Sequence, residues 1–517
     1  MSLSFEPLSP TAFLDRSACV HADRLAIVDG QLRLTYAEFA RRCRAQAGML
    51  VGAGVRPGDR VAVLAPNGHL ALEAHYGSPY AGAILVTLNT RLTAAELRYI
   101  VEHSGCRLML HDPELGGLAR EISAAVPDLR LVDGGAEYER LLAGAEPTVV
   151  PVEDECGPIS LNYTSGTTGR PKGVLYHHRG AYLQSLAMVN QFGLSSESVY
   201  LWTLPMFHCN GWCFTWAVTA AGGTHVCVPR VDPELVWQLI ADERVTSFCG
   251  APTVLSSLLA APGAAIRGGP RIRVAVGGAP PSPALLERCA DAGLDTTHLY
   301  GLTETFGPAA ICEWQPEWDA LQEDEQARLR ARQGVPNLIG CRIRVVDEQS
   351  RDVPADGVTV GEVAMRGNNL MLGYYRDEEA TRAAAPDGWF RTGDLGVLHP
   401  DGYLEIRDRA KDVIISGGEN ISSVEVEAVL AEHPAVLESA VVAVPDDHWG
   451  ERPAALVTLR DGADLDAPAL RGWMRDRLAH FKVPDHVEFG PLPKTASGKI
   501  RKAELRKLVR ERGRLSP

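Results

Sequence analysis

The sequence predicts an α/β fold with a large N-terminal domain and a small C-terminal one, and three observations carry that reading. Up to Gly340, short apolar strands alternate with helix-period segments: 60–64 precedes a helix-like 70–78, and 273–276 precedes 281–292. That rhythm builds βαβ units with parallel sheets, here as two lobes. From Gly340 the texture turns β-rich, at 342–347 and 361–366, which suggests a small distorted β-barrel. After Asp408 the chain restarts as a compact α+β unit, with strand 413–415, helix 423–432 and strands 438–444 and 454–459. The division is therefore expected between residues 1–408 and 409–517. No internal repeat or long low-complexity tract interrupts it.

Composition narrows the class. The 517 residues allow about three domain-sized units. Charged residues at 22% and hydrophobic ones at 45% are globular rather than disordered proportions. A net charge of -14 argues against nucleic acid as the main partner. No apolar run is long enough to span a bilayer. The first residues lack a basic, apolar leader, and Arg514-Leu515-Ser516-Pro517 is not a peroxisomal tripeptide, so a cytoplasmic location is expected. The 11 cysteines are scattered, and only Cys209 and Cys213 lie close together. They lack the second pair that a zinc site needs, so reduced thiols are expected. Of the 51 basic residues only seven are lysine: Lys172, Lys411, Lys482, Lys494, Lys499, Lys502 and Lys507. In so arginine-rich a chain, a retained lysine can mark a need for a compact ammonium. Lys502 and Lys507 are read as ordinary surface lysines.

The densest chemistry lies at Tyr163-Thr164-Ser165-Gly166-Thr167-Thr168-Gly169-Arg170-Pro171-Lys172-Gly173, after a short strand at 157–163. Glycines let the backbone approach a ligand, and hydroxyls and N–H groups can surround a polyphosphate whose charge Lys172 offsets. A Walker A loop needs Gly before its Lys and Ser or Thr after it. Here Pro171 and Gly173 hold those places, which disfavours a P-loop NTPase.

The string resembles instead the phosphate loop of the adenylate-forming superfamily: acyl-CoA synthetases, aryl-CoA ligases, peptide-synthetase adenylation domains and beetle luciferases. Further motifs follow in that family's order, and the resemblance covers nearly the whole chain. It implies the adenylate-forming fold, with a mobile C-terminal domain, and ATP, Mg²⁺ and coenzyme A as the small molecules used. Thr164, Ser165, Gly166, Thr167, Thr168 and Lys172 would bind phosphates. In Tyr300-Gly301-Leu302-Thr303-Glu304, Tyr300 would pack on adenine, Thr303 would contact the α-phosphate and Glu304 would bind the metal. Gly278, Ala279 and Pro280 match the loop that lies along the adenine through its backbone. Asp394 matches the carboxylate that holds the ribose hydroxyls, with Arg409 as its partner.

Lys411 matches the hinge about which the C-terminal domain turns between two half-reactions. Gly417 and Gly418 match the loop bordering the pantetheine tunnel, although a tight turn explains the same glycines. Lys499, in Pro493-Lys494-Thr495-Ala496-Ser497-Gly498-Lys499, matches the catalytic lysine of adenylation. A charge there stabilises the crowded anion of that step.

The substrate is less legible. Amino-acid-activating relatives carry Asp where this chain has His208, so an amino acid is disfavoured, and His208 is expected at the reacting carboxylate. Phe207, Trp212 and helix 253–259 suggest an apolar acyl pocket, though core packing explains them as well. Residues 417–427 most resemble medium-chain fatty acyl and related synthetases. The expectation is an acid–CoA ligase. The alternatives are an acyl-AMP ligase that passes a bulky or aromatic acid to another acceptor, a luciferase-like monooxygenase and a degenerate nucleotide-binding subunit. A homodimer is left open.

Overall fold

The structure is a computed structural model that describes residues 4–164, 171–262, 270–416, 419–446, 449–495 and 499–513. Two mixed sheets organise the larger part. The seven-stranded sheet runs Gly373–Tyr374, Gly173–His177, Pro158–Tyr163, Ile84–Thr87, Arg60–Leu64, Leu108–His111 and Arg130–Asp133. The nine-stranded sheet is built mostly from residues between 199 and 336, yet Leu25–Asp29 and Leu32–Thr35 close one of its edges. Leu25–Asp29 pairs in parallel with Thr224–Cys227, so the two lobes are interleaved in sequence.

Helices Tyr36–Gly52, His69–Tyr80 and Phe214–Ala221 pack between the sheets. Eleven of the twelve residues of His69–Tyr80 are buried, which is why that helix lacks an amphipathic stripe. Thr35 and Glu38 start Tyr36–Gly52 with a capping box, satisfying donors that the first turn leaves open. Trp202, Trp216, Tyr76, Phe39 and Phe214 are fully buried in the same aromatic core. Burying one such ring removes roughly 150–250 Å² from water, so this seam is a large part of the folding drive.

The segment expected as a distorted barrel forms a four-stranded antiparallel sheet, in the order Arg342–Val346, Gly361–Arg366, Phe390–Leu398 and Leu404–Arg409. Its outer strands do not pair with each other, because four short strands cannot close a ring around side chains. The remaining unit holds a five-stranded sheet centred on the hairpin Val436–Asp446/Gly450–Leu459, with helices Ser423–Ala431, Ala467–Arg475 and Lys502–Gly513. Its two apolar clusters contain only residues from Ile414 onward, and the other four clusters contain none of them. Among the described residues no helix is long and apolar enough to cross a membrane.

Candidate active site

Ser165, Gly166, Thr167, Thr168, Gly417 and Gly418 lie outside the described residues; the other predicted positions can be located. Thr164 and Lys172 close the base of the phosphate loop, where the Thr164 N–H donates to the Lys172 carbonyl at 3.0 Å. Lys172 Nζ sits 4.7 Å from the ring centre of Tyr374. The Tyr374 hydroxyl donates to Glu304 Oε1 at 2.8 Å. One tyrosine thus carries the loop's cation on its face and the metal-ligand candidate at its tip. A Mg²⁺–polyphosphate pair needs that juxtaposition of positive charge and hard oxygen.

Thr303 and Glu304 occupy a short 3₁₀ turn after strand Leu294–Tyr300. Tyr176 donates to the Thr303 carbonyl at 2.6 Å, and the Met371 N–H donates to the Glu304 carbonyl at 2.9 Å. The turn folds tightly back on Gly301: a Cβ there would lie 2.0 Å from the Gly307 carbonyl oxygen. Only glycine fits that approach.

Asp394 is 3% exposed and pairs in register with Arg409 on the neighbouring strand. Arg409 Nε meets its Oδ1 at 2.9 Å, and the Tyr300 hydroxyl donates to its Oδ2 at 2.5 Å. Tyr300 and Asp394 are therefore locked together. Each carboxylate oxygen still has a second lone-pair direction for a ligand hydroxyl. Gly278, Ala279 and Pro280 follow strand Ile272–Val276, with Gly278 at φ +83° and exposed.

Lys499 enters this cleft from the C-terminal unit. Its loop is closed at the base by Thr495 N–H donating to the Lys499 carbonyl at 2.6 Å and by the bridge between Lys494 and Ile500. The side chain keeps solvent-accessible surface, yet its ammonium is pushed down to about 7. Desolvation in the cleft leads, followed by Arg409, with Lys411 and Lys502 adding repulsion and Asp394 opposing it. Lys411 is lowered to about 8 by desolvation, Arg409 and Arg506. Several cations thus crowd around Asp394, and the site is short of negative charge.

His208 precedes an unusual segment: Cys209, Asn210, Gly211, Trp212 and Cys213 all have positive φ, between +46° and +65°. Left-handed turns cost about 1–2 kcal/mol per non-glycine residue, so this one must be held from outside. Ser160 donates to Asn210 Oδ1 at 2.9 Å, and Thr215 donates to the Asn210 carbonyl at 3.0 Å. His208 Nε2 is buried without a partner among the described residues, and desolvation and Arg91 push its pKa down to about 4. It is a neutral imidazole at physiological pH, able to hydrogen-bond but carrying no charge. Beyond it the Trp212 ring edge fills the space beside Gly277, where a Cβ would approach within 2.8 Å.

Sequence reading missed Tyr374, which arrives on the two-residue strand Gly373–Tyr374 paired with Val174 and Leu175. No local pattern marks it. It also misplaced Lys502. Rather than sitting as a surface lysine, Lys502 meets Glu427 at 2.8 Å and donates to the Ser423 hydroxyl at 2.6 Å. The scarcity of lysine was the signal that could have found it.

Comparison with known proteins places this geometry. The AMP-binding enzyme family matches residues 14–375, and the AMP-binding enzyme C-terminal domain matches residues 425–499. An acetate–CoA ligase of Humulus lupulus is 44% identical, with 99% of this chain and 96% of that protein covered. A peroxisomal acetate/butyrate–CoA ligase of Arabidopsis thaliana is 43% identical over the same shares. The Bacillus subtilis O-succinylbenzoate coenzyme A synthetase, solved with ATP and magnesium ion, superposes with a TM-score of 0.83. It is 29% identical, with 97% of this chain and 99% of that one covered. The chain belongs to the AMP-binding enzyme family and is an adenylate-forming acid–CoA ligase.

Proposed function

We infer that this ligase activates a short, apolar carboxylic acid with ATP and passes the acyl group to coenzyme A. The observation that carries the reading is that Asp394, bound by Arg409 and Tyr300, lies within electrostatic reach of Lys499, among several cations. Tyr300 and Asp394 hold adenosine, while Thr164 and Lys172 hold phosphates and Glu304 supplies an oxygen ligand for Mg²⁺. Bound there, Mg²⁺ would neutralise polyphosphate charge. An acid carboxylate oxygen then attacks the α-phosphorus, the bond to the β-phosphate oxygen breaks, and pyrophosphate leaves. Lys499 stabilises the negative charge that develops at that centre. In the second step the CoA thiolate attacks the acyl carbon, and AMP departs with the bonding electron pair. Keeping both steps in one site shields the mixed anhydride from water.

Two features support a short acyl chain. The Trp212 indole fills the space between the His208 turn and Gly277. The acetate and acetate/butyrate ligases are similar over 96% of their lengths. Neutral His208, whose Nε2 has no partner among the described residues, suits the reacting carboxyl group. A panel of linear, branched and aromatic acids, scored by pyrophosphate release with and without CoA, tests the reading. Two- to four-carbon acids are expected to give the highest kcat/KM, and CoA to accelerate AMP release. Preference for aromatic acids would overturn the assigned pocket. AMP release indifferent to CoA would overturn the acceptor.

A further inference from the structure

We propose that Asp408, Ser423, Lys502 and Glu427 form an interdomain latch that holds the C-terminal domain in the orientation presenting Lys499 for adenylation. The proposal rests on the two-step reading above and on the hinge that the family resemblance implies at Lys411. Asp408 lies before that hinge, paired with Leu395 in the four-stranded sheet, and is 2% exposed. Ser423 lies after it, as the first residue of helix Ser423–Ala431. Their groups nevertheless meet. The Ser423 N–H donates to Asp408 Oδ2 at 2.5 Å, and the Ser423 hydroxyl donates to Oδ1 at 3.1 Å. Beside them the Ser422 hydroxyl donates to the Arg407 carbonyl at 2.6 Å.

A carboxylate at a helix N-terminus is favoured by the open N–H groups and the dipole, so Asp408 holds the start of a helix that belongs to the other domain. Rotation about Lys411 carries Ser422 and Ser423 away while Asp408 and Arg407 stay with their sheet. These bonds therefore exist in one orientation only.

The latch reaches the catalytic loop through Lys502. Its ammonium donates to the Ser423 hydroxyl at 2.6 Å and meets Glu427 Oε1 at 2.8 Å; the Val441 N–H also donates to that oxygen, at 2.7 Å. Lys502 stands three residues after Lys499 and opens the last helix, so the same contacts that seat the domain fix the base of the Lys499 loop. Asp408, Ser423 and Lys502 are positioning residues: they act through Lys499 and touch no substrate.

The test compares Asp408→Asn and Ser423→Ala with wild type in each half-reaction separately, using an acid the wild-type enzyme converts to its CoA thioester. Single-turnover pyrophosphate release should fall about tenfold, the effect of one lost hydrogen bond to a charged group. Thioester formation from supplied acyl-AMP and CoA should stay at the wild-type rate or rise. Ser423→Thr, which keeps the hydroxyl, should restore pyrophosphate release. Equal loss in both half-reactions, no loss in either, or failure of Ser423→Thr to rescue overturns the latch. A wild-type enzyme unable to make acyl-CoA would instead overturn the underlying reading.

Discussion

Lys499 stands among cations, and that crowding decides how its chemistry depends on pH. Desolvation, Arg409, Lys411 and Lys502 lower its ammonium to about 7 against the pull of Asp394. A lowered lysine pKa means that the charge is complete below about 7 and is lost as pH rises through that value. kcat/KM reports the free enzyme, so kcat/KM of ATP for pyrophosphate release should decline above neutral pH. Lys499→Arg keeps a positive charge at every working pH. It should flatten that alkaline limb even if its larger head lowers the overall rate. Lys499→Ala should abolish acyl-AMP formation and leave the thioester step from supplied acyl-AMP intact. An unchanged alkaline limb in Lys499→Arg would show that another group sets the pH dependence. His208 cannot be that group, because burial and Arg91 hold it near 4 and it stays neutral throughout this range.

Among the elements, the left-handed turn from Cys209 to Cys213 is the one whose conformation opposes its residues. Non-glycine residues held in such wells are stored strain, kept in place by the surrounding structure. Gly211 alone is suited to its φ of +61°, and a Cβ there would lie 2.4 Å from the Trp202 ring. Gly211→Ala should therefore lose at least about 1–2 kcal/mol in urea unfolding, the left-handed cost of one side chain, before the clash is added. It should also slow pyrophosphate release, since the turn sets both His208 and Trp212. Stability within about 0.5 kcal/mol of wild type, the range of a neutral surface change, would refute the described geometry. None of this was legible in Phe207-His208-Cys209-Asn210-Gly211-Trp212, which reads locally as loop or short helix. Bonds from Ser160 and Thr215 impose the turn, and contacts from outside a segment leave no period within it. The Tyr300–Glu304 segment could be singled out because its glycine, hydroxyl and carboxylate stand side by side in the chain, whereas residues 165–170 of the predicted phosphate loop lie outside the described residues.

At the scale of the whole molecule, the strand–helix rhythm announced parallel sheets. It could not announce that Leu25–Asp29 would join a sheet built mainly from residues two hundred positions later. Strand pairing over that separation is a tertiary outcome with no local signature. A small C-terminal domain was legible because composition and period change late in the chain, and its apolar clusters share no residue with those before it. Between them runs a short stretch through Arg409, Ala410 and Lys411. On its far side, Arg506 from the last helix pairs with Asp412 and donates to the Lys411 carbonyl at 3.5 Å. With separate cores joined by so little chain, reorientation needs only a few backbone angles to change near Lys411. Proline fixes φ near −65° and supplies no N–H. Lys411→Pro should therefore hold the domain in whichever orientation suits that φ. Because Lys499 already lies within electrostatic reach of Asp394 and Arg409 in the described orientation, the retained activity should be adenylation. Single-turnover pyrophosphate release is expected near the wild-type rate, with acyl-CoA formation suppressed at least tenfold. If Lys411→Pro makes acyl-CoA as fast as wild type, the two half-reactions do not require rotation at this residue. Loss of pyrophosphate release with thioester formation intact would show that the stiffened hinge favours the opposite orientation.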